Sequence, residues 1–168
     1  PMDAIKAGVV LAPEDRKKDG LCTKLSIRHN IALPNLDLIC GKGGVINTKI
    51  EEELCDKAVA DLTIKTPNLD VDAGTLSGGN QQKVLLAKWM FAEPDILILD
   101  EPFNALDYKT YEDVKAIIRM LKAEGKTIFL TSHHFKDIEQ LCDQVYSIED
   151  CRLIPITEEI AARYREME

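Results

Sequence analysis

Asp100 and Glu101 close an apolar run, Ile96-Leu97-Ile98-Leu99. A short run of this kind, free of polar residues, suits a strand in the middle of a parallel sheet. Such a strand carries its last side chains to the carboxyl edge, where open α/β sheets bind ligands. Two carboxylates there point to magnesium and phosphate chemistry. Asp100 fits a magnesium ion held through water, since that ion prefers oxygen ligands and keeps several waters. Glu101 is suited to orient or deprotonate a water that attacks a γ-phosphate. The plain alternative is a strand ending in two solvated acids, because connecting segments run over the surface.

A second group is Ser77-Gly78-Gly79-Asn80, at the start of a helical pattern. A helix N-terminus offers free N–H groups and a partial positive charge. Two glycines let an anion approach the backbone, and Ser77 adds a hydroxyl. Taken alone, the group favours the plainer reading, a glycine turn followed by a capped helix. The third element is His133, which follows the apolar stretch Thr127–Thr131. At the tip of the next strand its two ring nitrogens can link a phosphoryl group to a carboxylate or carbonyl. A solvated loop histidine is the competing reading. His134 and His29 are assigned no chemistry.

The elements that must position these residues follow from periodicity and punctuation. Gly8–Ala12 reads as a buried strand closed by Pro13, and Glu14–Gly20 as a charged loop or turn. Leu25–Leu33 reads as a short helix capped by Ser26 and ended by Pro34, with residues 34–47 irregular. Thr48 and Glu51 form a capping-box pattern ahead of a helix whose stripe is Ile50, Leu54, Ala58 and Leu62. Ser77 caps a helix running to about Ala92, stopped by Pro94. Tyr111, Val114, Ile118 and Leu121 mark a helix ending at Gly125. Phe135–Asp143 reads as a helix with Ile138, Leu141 and Cys142 inward, Val145–Ile148 as a last strand, and Thr157 as the cap of a C-terminal helix. The alternation over 93–150 is that of a parallel α/β sheet. The expected division is a helical lobe over about 14–92, an α/β core over about 93–154 and a terminal helix over about 155–168.

Composition narrows the function classes. The 168 residues carry a net charge of −8, from 21 basic and 29 acidic side chains. That disfavours nucleic-acid binding, which needs a basic footprint, and Arg16-Lys17-Lys18 is the one short basic cluster. The five cysteines lack zinc-type spacing and read as reduced thiols. No apolar run approaches transmembrane length, and no signal peptide is recognisable.

Taken together and in order, "LSGGN", "ILILDE", "NALD" and "TSH" resemble the ATPase domain of ABC transporters. They match its signature motif, Walker B strand, D-loop (Asn104 to Asp107) and switch-histidine loop. The resemblance runs from about Gly8 to Leu153. It implies a P-loop NTPase-like α/β core with a parallel sheet and a helical subdomain, using ATP and magnesium. By resemblance, Asp100, Glu101 and His133 serve a nucleotide on their own phosphate loop. Ser77, Gly78, Gly79 and Asn80 then close over the γ-phosphate held by a second ABC ATPase domain, with Asp107 at the seam. A narrower resemblance lies in "PEDRKKDGL", "SIRHNIAL" and "LSGGNQQKVLLAKWM", which are similar to the second ATPase half of monosaccharide importers of the ribose and galactose type. That family holds an acid where the Q-loop glutamine usually stands, and here it is Glu14. The resemblance implies transmembrane permease partners, a coupling surface over 14–47, and a peripheral location on the cytoplasmic face of the membrane. Two departures stand out. Phe103-Asn104-Ala105-Leu106-Asp107 replaces the usual Thr-Arg-Gly-(Ile/Val)-Asp, and His133 is present where many second halves lack it. A non-catalytic ABC-like scaffold, and a soluble ABC protein of translation or DNA repair, are the rival readings.

No G-x-x-x-x-G-K-[ST] phosphate loop occurs in the sequence. The nearest decoy, "LDLICGKGGVINTK", has Ile46 and Asn47 where glycine and lysine are needed, and is expected to be an ordinary glycine-rich surface loop. The expectation is therefore a portion of a longer ATPase lacking the N-terminal phosphate-loop strands. Such a chain is expected to hydrolyse ATP weakly or not at all, and to form homo-oligomers through exposed sheet edges.

Overall fold

A computed structural model of the chain describes residues 2–41 and 43–167. Lys42, part of the glycine-rich decoy, lies outside the described residues. Helix α1 (Met2–Lys6) leads into strand β1 (Val9–Ala12). Strands β2 (Ile96–Asp100) and β3 (Thr127–Thr131) complete a parallel sheet of order β1-β2-β3. The registers align Leu11 with Ile98 and Ile98 with Phe129. Strand periodicity sends alternate residues to opposite faces. Val10, Ala12, Leu97 and Leu99 turn to one face and join a core with Val84, Leu85, Val114 and Ile118. The other face is open. Leu11 is 48% and Phe129 58% exposed, and Ile98 between them is half-buried. The β2 run is thus covered on one side among the described residues, where burial on both sides was expected.

The chain between β1 and β2 is helical. Arg16–Gly20 is a π-helical turn capped by Asp15. Helix α2 (Ile27–Ala32) has Ser26 as its N-cap, the hydroxyl accepting from the His29 N–H. Pro34 does not end the helical path as expected. It sits early in a 3-10 turn, Leu33–Asn35, where a missing N–H costs nothing, and α3 (Leu36–Ile39) follows directly. Helix α4 (Thr48–Asp61) is capped by Asn47, not Thr48. Its inward residues are Glu51, Cys55, Ala58 and Leu62, so Ile50 stays exposed and Leu54 half-buried. The expected stripe stepped by four throughout, whereas a turn of about 3.6 residues keeps Glu51, Cys55, Ala58 and Leu62 on one face. Arg28 of α2 pairs with the exposed Glu52 at 3.4 Å.

Helix α5 (Gly78–Met90) follows a 3-10 turn, Ala73–Thr75, and α6 (Tyr108–Ala123) follows β2. Two buried polar side chains of α5 act as connectors. The Gln81 amide donates to the carbonyls of Ala73, Gly74 and Leu76, and Lys83 pairs with Asp113 of α6 at 2.7 Å. Helix α7 (Phe135–Leu141) follows β3. The expected last strand exists as β4 (Tyr146–Glu149), but it does not join the parallel sheet. It pairs antiparallel with β5 (Arg152–Pro155) as a separate hairpin. Helix α8 (Glu158–Met167) rests on α7, with Tyr164 stacked on Phe135 at 5.3 Å and Arg165 bonded to Glu139. Among the described residues no helix is long and apolar enough to cross a membrane. The five cysteines are free thiols.

Candidate functional site

Parallel β2 and β3 end side by side, with Asp100 in register with Thr131. This brings the sequence-predicted residues of two distant segments together. The Thr131 hydroxyl donates to Asp100 Oδ1 at 2.7 Å and accepts from the Glu101 N–H at 3.1 Å. His133 Nδ1 lies 2.9 Å from Glu101 Oε2. The imidazole is 63% exposed and the glutamate side chain 20%. Glu101 has φ +44°, the left-handed region that non-glycine residues avoid at a cost of roughly 1–2 kcal/mol. Strain of that kind persists only where the surroundings hold it, as they do at functional sites. Thr131 was legible only as part of "TSH", and its role as the bridge between the two acids comes from the register.

Asp100 spends one oxygen on Thr131. Among the described residues no three His, Cys, Asp or Glu side chains gather to hold a metal. The geometry therefore fits magnesium arriving with phosphates and touching the protein at one carboxylate, and does not fit a free-standing metal centre.

Ser77, Gly78, Gly79 and Asn80, the expected signature residues, lie at the start of α5. The Ser77 hydroxyl accepts from the Asn80 N–H at 3.4 Å and from its side-chain amide at 3.0 Å. Asn80 Oδ1 accepts from the Lys65 N–H at 2.8 Å. Gly79 is buried against α6, so that a Cβ there would lie 2.5 Å from Thr110 Oγ1. Thr110 in turn is bound by Asp107, the N-cap of α6, which accepts from its N–H at 3.0 Å and its hydroxyl at 2.8 Å. These bonds, the Thr110 N–H foremost, hold the Asp107 carboxyl below its usual pKa. Gly79 and Asp107 are thus one packed unit.

Arg16, which sequence reasoning treated only as part of a basic cluster, reaches the same place. A Cβ at Gly78 would lie 2.6 Å from Arg16 Nη2. Arg16 Nη1 donates to the Asn104 carbonyl at 3.2 Å, while its Nε is buried without a partner. Burial lowers the guanidinium pKa. A cation at a helix N-terminus is unfavourable unless an anion balances it, and here Asp15 lies close enough to do so. Glu14, expected at the Q-loop position, accepts from the Asn104 side-chain amide at 3.0 Å. Glu14, Asp15, Arg16, Lys17, Asn104 and Ala105 line an open cleft of about 360 Å³.

An α/β core that presents a strand-end acid pair, an adjoining imidazole and a glycine-started helix defines a nucleotide-handling class of protein. The sequence model of the family described as ABC transporter matches residues 3–104, and the chain belongs to that family. It is 39% identical over 163 residues to the ribose import ATP-binding protein RbsA of Bacillus subtilis, covering 97% of this chain and 32% of that protein. It is 37% identical over 153 residues to the xylose import ATP-binding protein XylG of Thermoanaerobacter pseudethanolicus, covering 91% of this chain and 30% of that protein. The chain spans about a third of the length of these curated relatives. Among solved structures, an inward-facing metal-chelate type ABC transporter superposes with TM-score 0.75 at 16% identity, over 94% of this chain and 63% of that one. A nucleotide-free ATP-binding cassette from an ABC transporter superposes with TM-score 0.71 at 19% identity, over 99% and 68%. These two share the fold.

Proposed function

We propose that the chain supplies the signature, Walker B, D-loop and switch-histidine parts of an ATP-hydrolysing subunit of a monosaccharide importer. The observation that carries this is the 2.9 Å contact between Glu101 and His133 beside Asp100. Magnesium, when bound with ATP, neutralises phosphate charge, and Asp100 holds its water shell. Glu101 orients the attacking water and takes its proton. His133 keeps that carboxylate aimed through Nδ1 and offers its other ring nitrogen to the phosphoryl group. Ser77, Gly78, Gly79 and Asn80 present N–H and hydroxyl groups to the γ-phosphate of a second ABC ATPase domain. Asp107 lies at the seam between the two. Residues 14–92 form the helical lobe, and Glu14 with residues 14–47 faces permease subunits at the cytoplasmic side of the membrane. The sugar assignment is supported by the similarity to the ribose and xylose import ATP-binding proteins.

The test uses the gene product at its encoded length, with its permease in membrane vesicles. Glu101→Gln is expected to abolish magnesium-dependent ATP turnover while leaving ATP binding intact. Turnover retained at the wild-type rate in that variant refutes the proposal. Labelled pentose uptake, lost in the same variant, reports the transport half of the reading.

A further inference from the structure

Glu101 and His133 meet directly, but a second connection joins the segments that carry them. Phe103, two residues beyond Glu101 and 6% exposed, meets the Tyr111 ring at 5.2 Å between centroids. The Tyr111 hydroxyl donates to Asp137. Asp137 is 2% exposed, in the first turn of α7, and its N–H donates to the His134 carbonyl at 3.2 Å. The His134 ring lies 4.4 Å from that of His133. The path Glu101, Phe103, Tyr111, Asp137, His134, His133 therefore closes on itself.

Lys115 completes the arrangement. It is 4% exposed, 3.6 Å from Asp137 Oδ1, 2.5 Å from Gln140 Oε1 and 4.9 Å from the Tyr111 ring centroid. Buried charges are costly unless paired and hydrogen-bonded, and an apolar pair would pack α6 on α7 at least as well. A polar cluster retained there calls for a use in specifying position. Two features of the site need one. Glu101 holds a strained φ that its surroundings must enforce. His133 is 63% exposed, so beyond its contacts with Glu101 and the His134 ring its place depends on the backbone leading into α7.

We propose that Tyr111 is a positioning residue for the Glu101–His133 pair. Its ring holds the segment after Glu101 through Phe103, and its hydroxyl holds the first turn of α7 through Asp137. One side chain thereby sets the spacing between carboxylate and imidazole. The proposal rests on the roles given to Glu101 and His133 above, and its test needs no nucleotide, so the two fail separately.

The experiment is NMR on this chain. Tyr111→Phe keeps the ring against Phe103 and removes the hydroxyl. The His133 Nδ1 resonance is expected to move toward that of a solvated imidazole. Exchange at the Glu101 and Asp137 amides is expected to rise about ten-fold relative to Leu97 and Leu99 in β2, as for a local opening. Lys83→Met, which breaks the ion pair between α5 and Asp113 of α6, is expected to speed exchange evenly and leave His133 unmoved. Should Tyr111→Phe fail to fold, Asp137→Asn carries the test, with the same direction and a smaller change. An unchanged His133 resonance, or exchange that rises evenly as in Lys83→Met, overturns the proposal.

Discussion

Gly79→Ala probes the contact that joins the signature helix to α6. Gly79 has an ordinary helical φ, so a side chain brings no backbone strain. The obstacle is space. A Cβ would stand 2.5 Å from Thr110 Oγ1, 2.6 Å from Cγ2 and 2.9 Å from Cβ. Thr110 cannot simply turn aside, because its hydroxyl donates to Asp107 at 2.8 Å. Either the helices part or that bond breaks. Overpacking of this kind costs about 1–3 kcal/mol. Alanine regains at most about 1 kcal/mol of helix propensity. The net expectation is a loss of about 1–2 kcal/mol, read in urea unfolding as a midpoint lowered by roughly 0.5–1 M. Adding Thr110→Ala removes two of the three clashing atoms and should recover part of the loss, giving clear non-additivity. A Gly79→Ala midpoint equal to or above wild type, or strictly additive effects in the double variant, would refute this account of the packing.

Other outcomes follow from single side chains. Burial pushes the Cys55 thiol up to about 12, so at pH 8 alkylation should label exposed Cys22 and Cys151 first and reach Cys55 only on unfolding. Mass spectrometry that finds Cys55 labelled as fast as Cys151 contradicts this. Asn30, 2% exposed, accepts from the Cys22 N–H and donates to the carbonyls of Cys22, Leu25 and Ser26. Asn30→Ala should cost about 2–3 kcal/mol by stranding those groups, and calorimetry should register it as a drop of roughly 5–10 °C in Tm. The depressed Asp107 pKa means that its cap stabilises the fold above the unfolded carboxylate pKa and loses that effect as pH falls through the folded one. Wild type should therefore exceed Asp107→Ala in stability at pH 6, with the gap narrowing below about pH 4, and a gap that widens in acid would be inconsistent.

The legible parts of this chain were those where one residue type has one physical use. Ser77 before two glycines fixed the start of α5, and four apolar residues ahead of Asp100-Glu101 fixed β2 and its acid edge. The pairing of Glu101 with His133 was readable as two strand tips once a parallel sheet was inferred. Partners were harder. Val145–Ile148 has strand character, but nothing in it says which strand it meets. The turn that decides this is Asp150-Cys151, with φ +47° and +59°. Two positive φ values make a tight hairpin, yet Asp-Cys lacks the glycine that usually announces one. The inward face of α4 differs from the expected stripe for another reason: steps of four drift off a turn of about 3.6 residues, which keeps Glu51, Cys55, Ala58 and Leu62 together. Asn104 and Thr131 lay within recognisable motifs, but their contacts, like those of Arg16, span about 30 to 90 positions, which no local pattern encodes.

The seating of α8 on α7 has a practical bearing. Tyr164 and Arg165 grip the helix that begins two residues past the imidazole. A bulky fusion or affinity handle joined behind α8 would lever on the reactive loop and blur any kinetic readout. The solvent-facing tip at Cys151 offers a gentler anchorage for a dye or spin label.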